Sequence, residues 1–281
     1  MRLKKYLNKR RSQIISKDKT LDILHSKCKD ALKAYKNGNI IYRGLANDIG
    51  NFAQISPSKF NRVSTQTDNY YTLINDNSPA WAKYPKRSKS IICTTDYNTA
   101  YFYGYSYVVF PYDSAKIGKC IKGDYWWSFP FVTRITNIGN VSGINDNINM
   151  LFRTKEIKDH VGDIDSVRTY SDLQKLFRQF DAYVKENDKK LIEKMKQKVE
   201  NNGIEFKEPD HSPTINYLHN IPLLEEYDEF MNLEKYLQYL LDPKRNKFEL
   251  IKITDDISGD HEVWTDSDSI LIKEEIIRNV L

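Results

Sequence analysis

Three short stretches of this 281-residue chain carry residue types that could do chemistry. The first is Tyr42-Arg43-Gly44, which closes the apolar run Ile40-Ile41. An arginine ending a buried strand offers a planar charged fork, and the glycine behind it permits close backbone approach. That pairing suits an anion such as a phosphate; an internal salt bridge is the competing role for Arg43. The second stretch is Arg87-Ser88-Lys89-Ser90-Ile91-Ile92-Cys93-Thr94-Thr95-Asp96, a basic, hydroxyl-rich lead into a short strand. It runs at once into an aromatic helix from Tyr97 to Tyr103. Strand-end and N-cap hydrogen bonding is the structural use of Thr94 and Thr95. The third is Asp260-His261-Glu262, two carboxylates two residues apart, leading into β-like Val263-Trp264. Exposure on a strand is the commonest fate of such a glutamate.

Several other chemistries are excluded by motif. His261-Glu262 begins like HExxH, but Thr265 stands where the second histidine should be, so the two-histidine geometry of zinc is absent. His25, His160, His211 and His219 are scattered singly. There is no GxxxxGK[ST] and no GxGxxG. Cys28, Cys93 and Cys120 lack CxxC spacing, which argues against a zinc cluster or disulfide framework and for a reducing compartment. No metal is expected. No apolar run approaches the roughly 18–20 residues that span a bilayer, so no membrane partner is expected and a cytoplasmic location is the default. The net charge of +5 is mildly basic, compatible with nucleic acid or acidic partners without requiring either.

The elements that must position these residues can be read from periodicity. Basic residues crowd positions 2–11, and apolar residues from Leu21 to Tyr35 recur at helical spacing up to Gly38, which suits a helix C-terminus. Residues 46–86 read as a long, ordered, aromatic loop in which Tyr70, Trp81 and Tyr84 could stack on a planar ligand or pack beneath the loop. Residues 105–111 form a strong strand, Ile117 to Ile121 a shorter one, Trp126-Trp127-Ser128-Phe129 a core block, and 137–148 a loop. Helices are predicted over 166–201 and 224–241, the first with a solvated Lys/Glu face, and strands over 248–253 and 269–272. Strands at both ends with helices between them indicate an α+β class.

In order and spacing, the three stretches resemble the Arg-Ser-Glu class of mono-ADP-ribosyltransferases. In that family an aromatic-Arg strand opens the site, a Ser-Thr-Ser-type strand supports it, and a glutamate near the C-terminus does the chemistry. Tyr42-Arg43-Gly44 is similar to the first element. Ile92-Cys93-Thr94-Thr95, followed by Ala100 and Phe102, is similar to the second, with Cys93 in place of the leading serine. Asp260-His261-Glu262 is similar to the third, with Asp260 where members often carry Glu or Gln. The resemblance covers about residues 40–135 and 248–272.

It implies an ADP-ribosyltransferase-like split β-sandwich with an N-terminal helix and a helical insertion. The division implied is a basic N-terminal helical segment at 1–39 and a catalytic domain at 40–281 with a helical insert at about 160–245. NAD is the implied co-substrate, cleaved at the nicotinamide–ribose bond. Glu262 would stabilise the ribose cation, Asp260 would activate the acceptor, and Arg43 would bind the pyrophosphate. Gly44, Ser88, Ser90, Thr94, Thr95 and Tyr103 would complete the NAD site, with Ser90, Thr94 or Thr95 orienting the glutamate. The partners implied are a macromolecular acceptor, protein or RNA/DNA, and, for a toxin or phage-encoded factor, an inhibitor or antitoxin. Two other functions fit the same residues: an NAD glycohydrolase, and a non-catalytic nucleic-acid-binding or virion-associated protein using residues 2–11.

Overall fold

A computed structural model describes residues 12–62, 70–121, 123–125, 128–129, 141–202, 205–218, 224 and 227–281. The basic run at 2–11, Trp126-Trp127 and His219 lie outside them. In chain order, the first elements are β1 (Ser12–Ile14), α1 (Lys17–Lys27), α2 (Lys29–Lys36), β2 (Tyr42–Leu45), β3 (Phe52–Ile55) and α3 (Tyr70–Asn77). Next come β4 (Ile91–Thr94), α4 (Tyr97–Phe102), β5 (Tyr105–Pro111), β6 (Ile117–Lys119), α5 (Val141–Arg153), α6 (Lys155–His160) and α7 (Tyr170–Glu200). The chain continues with α8 (Pro213–Tyr217), α9 (Tyr227–Phe230), α10 (Leu233–Leu240), β7 (Glu249–Ile251), β8 (Glu262–Thr265), β9 (Ser269–Lys273) and α11 (Glu274–Ile277). The class is α+β, as the pattern of elements predicts.

The chain divides into two compact units, one of Met1–Val63, Pro79–Ser128 and Lys247–Leu281, the other of Ser64–Ser78 and Phe129–Asn246. The expected insert at about 160–245 falls inside the second unit, which also takes in α3, α5 and the start of α6.

The first unit holds an antiparallel sheet of nine described strands in the order β1-β3-β9-β5-β2-β4-β8-β6-β7. Its apolar strands are short and β-branched: Ile91, Ile92 and Cys93 of β4 are all buried, as are Ile270, Leu271 and Ile272 of β9. Burial on both faces explains the unbroken apolar runs. The helical spacing from Leu21 to Tyr35 belongs to two helices, not one. α1 starts on Ser16, whose hydroxyl accepts from the Lys19 N–H, and ends at Cys28, whose thiol donates to the Phe110 carbonyl. Leu24, Ala31 and Leu32 pack into the sheet's core. Gly38 ends α2 at a φ of +84°, the conformation predicted there.

Over β6 and β8 the core is aromatic. Trp264 packs with Trp81, Tyr84, Tyr125 and Phe248, and its Nε1 donates to the Pro85 carbonyl at 2.9 Å. Gly118 makes room for it, since a Cβ there would lie 2.2 Å from the indole ring. Trp81 and Tyr84, weighed above as stacking partners for a ligand, are packing residues of this cluster.

In the second unit α3 packs on α5, α7 and α10, and Tyr70 and Tyr71 are buried there. α7 opens on a capping box between Thr169 and Asp172, and buries Leu173, Leu176, Phe177, Phe180 and Val184. Two expectations fail here. Residues 141–148, polar enough to read as loop, are helical, because Ile144, Ile148, Leu151 and Phe152 fall on one face and are fully buried. The single helix expected over 224–241 breaks at Met231, with φ +47°, and restarts on Asn232, whose side chain accepts from the Lys235 N–H.

Candidate functional site

The three motif-bearing strands are consecutive neighbours: β2 pairs β4, and β4 pairs β8. Tyr42 lies opposite Thr94, and Thr94 opposite Glu262, so these three form one row across the sheet. Residues 42, 94 and 262 are far apart in sequence, and only the antiparallel pairing of non-local strands brings them together.

Glu262 begins β8 with its side chain 16% exposed. Its Oε1 accepts from Nη1 of Arg87 at 2.6 Å, and Arg87 is itself only 11% exposed. The guanidinium carbon of Arg87 sits 3.8 Å from the Tyr125 ring centroid and 5.0 Å from that of Trp264. A planar cation on an aromatic face, bonded to a carboxylate, fixes both groups in orientation. Oε2 of Glu262 has no hydrogen bond or ion pair among the described residues. The carboxylate is therefore held by one oxygen and free at the other.

Arg87 is the residue that motif reading left out. It stands at the head of the hydroxyl-rich stretch, but its partner is 175 positions away. Only the arginine's type, beside a run of small hydroxyls, hinted at it.

The hydroxyls work on the backbone rather than on the carboxylate. Thr95 Oγ1 accepts from the His261 N–H at 2.8 Å and donates to the Gly259 carbonyl, while its own N–H donates to the His261 carbonyl. It thereby holds the turn that delivers Glu262 into β8. Gly259 gives that turn its positive φ of +97°. Thr94 Oγ1 accepts from the Asp96 N–H, and Asp96 caps α4 through the N–H groups of Asn98 and Thr99. Hydrogen bonding from Thr99, through its side chain and its N–H, and then from the Asn98 N–H holds the Asp96 carboxyl below its ordinary pKa. Ser90 is fully buried and donates to the Lys86 carbonyl. The expected hydrogen bond from Ser90, Thr94 or Thr95 to the Glu262 carboxylate is thus replaced by the ion pair with Arg87. Ser88 is the middle residue of the short helical turn Arg87–Lys89, and its carbonyl accepts from the Arg62 N–H.

Arg43 follows Tyr42, and the alternation of a strand turns it to the opposite face from the Tyr42–Thr94–Glu262 row. Its Nη1 donates to the Ile92 carbonyl at 2.7 Å. Gly44 does permit close approach, but of α4: a Cβ there would lie 1.9 Å from the Ala100 carbonyl oxygen. Tyr103 is exposed, with its ring against Phe102. Asp260 is exposed in the turn before β8.

Cys93 is buried in β4. Burial pushes its thiol up to about 12, Arg43 pulls it back, and Glu262 adds to the rise. Burial, then Glu262, also raise Cys120 well above the ordinary thiol value. Burial thus disfavours the thiolate form of both. Among the described residues there is no group of three or more metal-ligating side chains, and no helix long and apolar enough to cross a membrane.

What the row of strands can do chemically is present an oriented carboxylate, one oxygen free, beside a nearly buried cation. Compared with known proteins, the chain matches no family model, no curated protein and no solved structure.

Proposed function

We propose that this chain is a mono-ADP-ribosyltransferase with an ADP-ribosyltransferase-like core, transferring ADP-ribose from NAD to a macromolecular acceptor. The observation that carries the proposal is the adjacency of β2, β4 and β8, which aligns Tyr42, Thr94 and Glu262 in one row. The aromatic-Arg, hydroxyl and glutamate elements of the resemblance are thereby supplied by three touching strands.

When the nicotinamide–ribose bond breaks, its electron pair leaves with nicotinamide and positive charge develops at the ribose. Glu262, through Oε2, stabilises that charge as it forms and so favours the transition state over bound NAD. Arg87 fixes the carboxylate through Oε1, so little reorganisation is needed at the moment of reaction. The acceptor then bonds to the ribose carbon and gives up its proton, for which exposed Asp260 is the nearest carboxylate in sequence to Glu262. Arg43 lies on the opposite face of the sheet from Glu262, bonded to the Ile92 carbonyl, so the reading rests on Glu262 and Arg87 and not on Arg43. The setting proposed is cytoplasmic, as a toxin or phage–host conflict factor.

Incubating the protein with adenylate-labelled NAD and a cell lysate tests the proposal. Label on protein or nucleic acid, absent with Glu262→Gln, is the expected result. Free ADP-ribose alone would replace transfer by hydrolysis at the same site, and an unchanged NAD pool would remove both.

A further inference from the structure

The first unit also holds a cleft whose lining does not include Glu262. Between α4, the start of β5 and the N-terminal residues of α11 there is a cavity of about 420 Å³. That is within the range of roughly 300–1,000 Å³ typical of ligand clefts. Tyr97 and Tyr101, four residues apart on one face of α4, line one wall with ring centroids 6.1 Å apart, and Tyr105 lines another. Tyr101 is 67% exposed and its neighbour Phe102 is 85% exposed, so this aromatic surface is not packed core.

The charges of the cleft do not balance. Lys273 is bonded to Asp48 at 3.0 Å and Glu275 at 2.9 Å. Its ammonium also lies 5.1 Å from the Tyr105 ring centroid, so one aromatic of the cleft already faces a cation. Glu274, which lines the cleft and whose charge reaches Tyr42, has no hydrogen bond or ion pair among the described residues. Ser106 lines the cleft too. It is only 9% exposed, and its hydroxyl has no hydrogen-bond partner. A buried polar group left unpaired costs free energy that a ligand donor would recover.

We infer that this cleft is a docking site for a basic side chain, lysine or arginine, presented by a protein partner. A cationic head supplies N–H donors to Glu274 and to the Ser106 hydroxyl, and its apolar stem lies against Tyr97 and Tyr101. Exposed Phe102 and Tyr103 give the flanking residues of the partner an apolar surface to rest on. The unpaired carboxylate disfavours a nucleic-acid strand, which would otherwise use the same rings for stacking. The inference does not depend on the transferase reading.

The test is fluorescence anisotropy with a labelled, glycine-flanked Lys-Arg hexapeptide, a Glu-Glu counterpart and a labelled six-nucleotide dT strand, using the whole chain. The basic peptide should bind, the acidic one should not, and added salt should weaken binding. Glu274→Gln and Tyr101→Ala change partly or fully exposed side chains, and each should weaken binding about three- to tenfold, in line with a cation–π or ion-pair contact. Absence of basic-peptide binding, or binding that neither substitution weakens, would overturn the inference. So would dT binding that is lost with Tyr101→Ala.

Discussion

At the scale of residues the account rests on the Arg87–Glu262 pair. Taking the cation away leaves a nearly buried carboxylate uncompensated, so Arg87→Ala should destabilise the protein by about 3 kcal/mol. Arg87→Lys should recover only part of this, because an ammonium cannot lie flat on Tyr125 while bonding Glu262. Urea titrations of the three proteins check the order; equal midpoints would show that the pair contributes nothing. Thr95→Val, which removes the hydroxyl's bonds to the His261 N–H and the Gly259 carbonyl, should cost about 1–2 kcal/mol. If the turn positions Glu262, it should also lower turnover with little change in KM. Of the site, Thr94 and Glu262 could be picked out by residue type, whereas Arg87 could not. The pairings were not legible, because Thr95 and Arg87 find partners 166 and 175 positions away. Nothing local in a sequence encodes contacts of that separation.

At the scale of elements, two glycines set how closely layers approach. Gly118→Ala drives a methyl into the Trp264 ring, and Gly44→Ala drives one into the backbone of α4. Each should destabilise by about 1–3 kcal/mol, with the larger effect at Gly44, where the obstacle is backbone rather than side chain. Thermal melts would decide. In the helical unit, Asp181 Oδ1 accepts from the Tyr227 hydroxyl and the Leu233 N–H, tying α7 to the first residues of α9 and α10. Burial raises the Asp181 carboxyl above its ordinary 3.8, despite those two bonds. Its protonated form is thus favoured on folding. The contribution is stabilising below 3.8 and is lost as pH rises through the raised value. Asp181→Asn keeps an acceptor and cannot ionise, so its stability relative to wild type should rise as pH climbs from 3.8 through the raised value. A pH-independent difference would contradict this.

The same scale shows where sequence reading works. β5 and β9 announce themselves by β-branched and aromatic runs, and α7 by its apolar stripe. α5 does not, because its Asn, Gly and Ser residues mimic a loop while four apolar residues carry the burial. β1 and β3 are three and four residues long, too short for alternation to stand out.

At the scale of the whole molecule, the chain passes between its two units four times, so neither is a continuous piece of sequence. The 64–78 segment brings α3 to the helical unit, where Tyr70, Tyr71 and Ile74 are buried. A fragment of residues 129–246 should therefore melt without cooperativity, and joining 64–78 to it through a flexible linker should restore a sharp transition. A cooperative melt of the shorter fragment by circular dichroism would show that α3 is dispensable. The central claim is that three distant strands assemble one NAD-cleaving carboxylate. Nicotinamide release from NAD by the purified chain tests it most directly, comparing wild type with Glu262→Gln at matched folded fraction. The account predicts release by wild type and a fall of at least about 100-fold in the variant, as for loss of a group that meets developing charge. No release by wild type, or equal release by both, would contradict it.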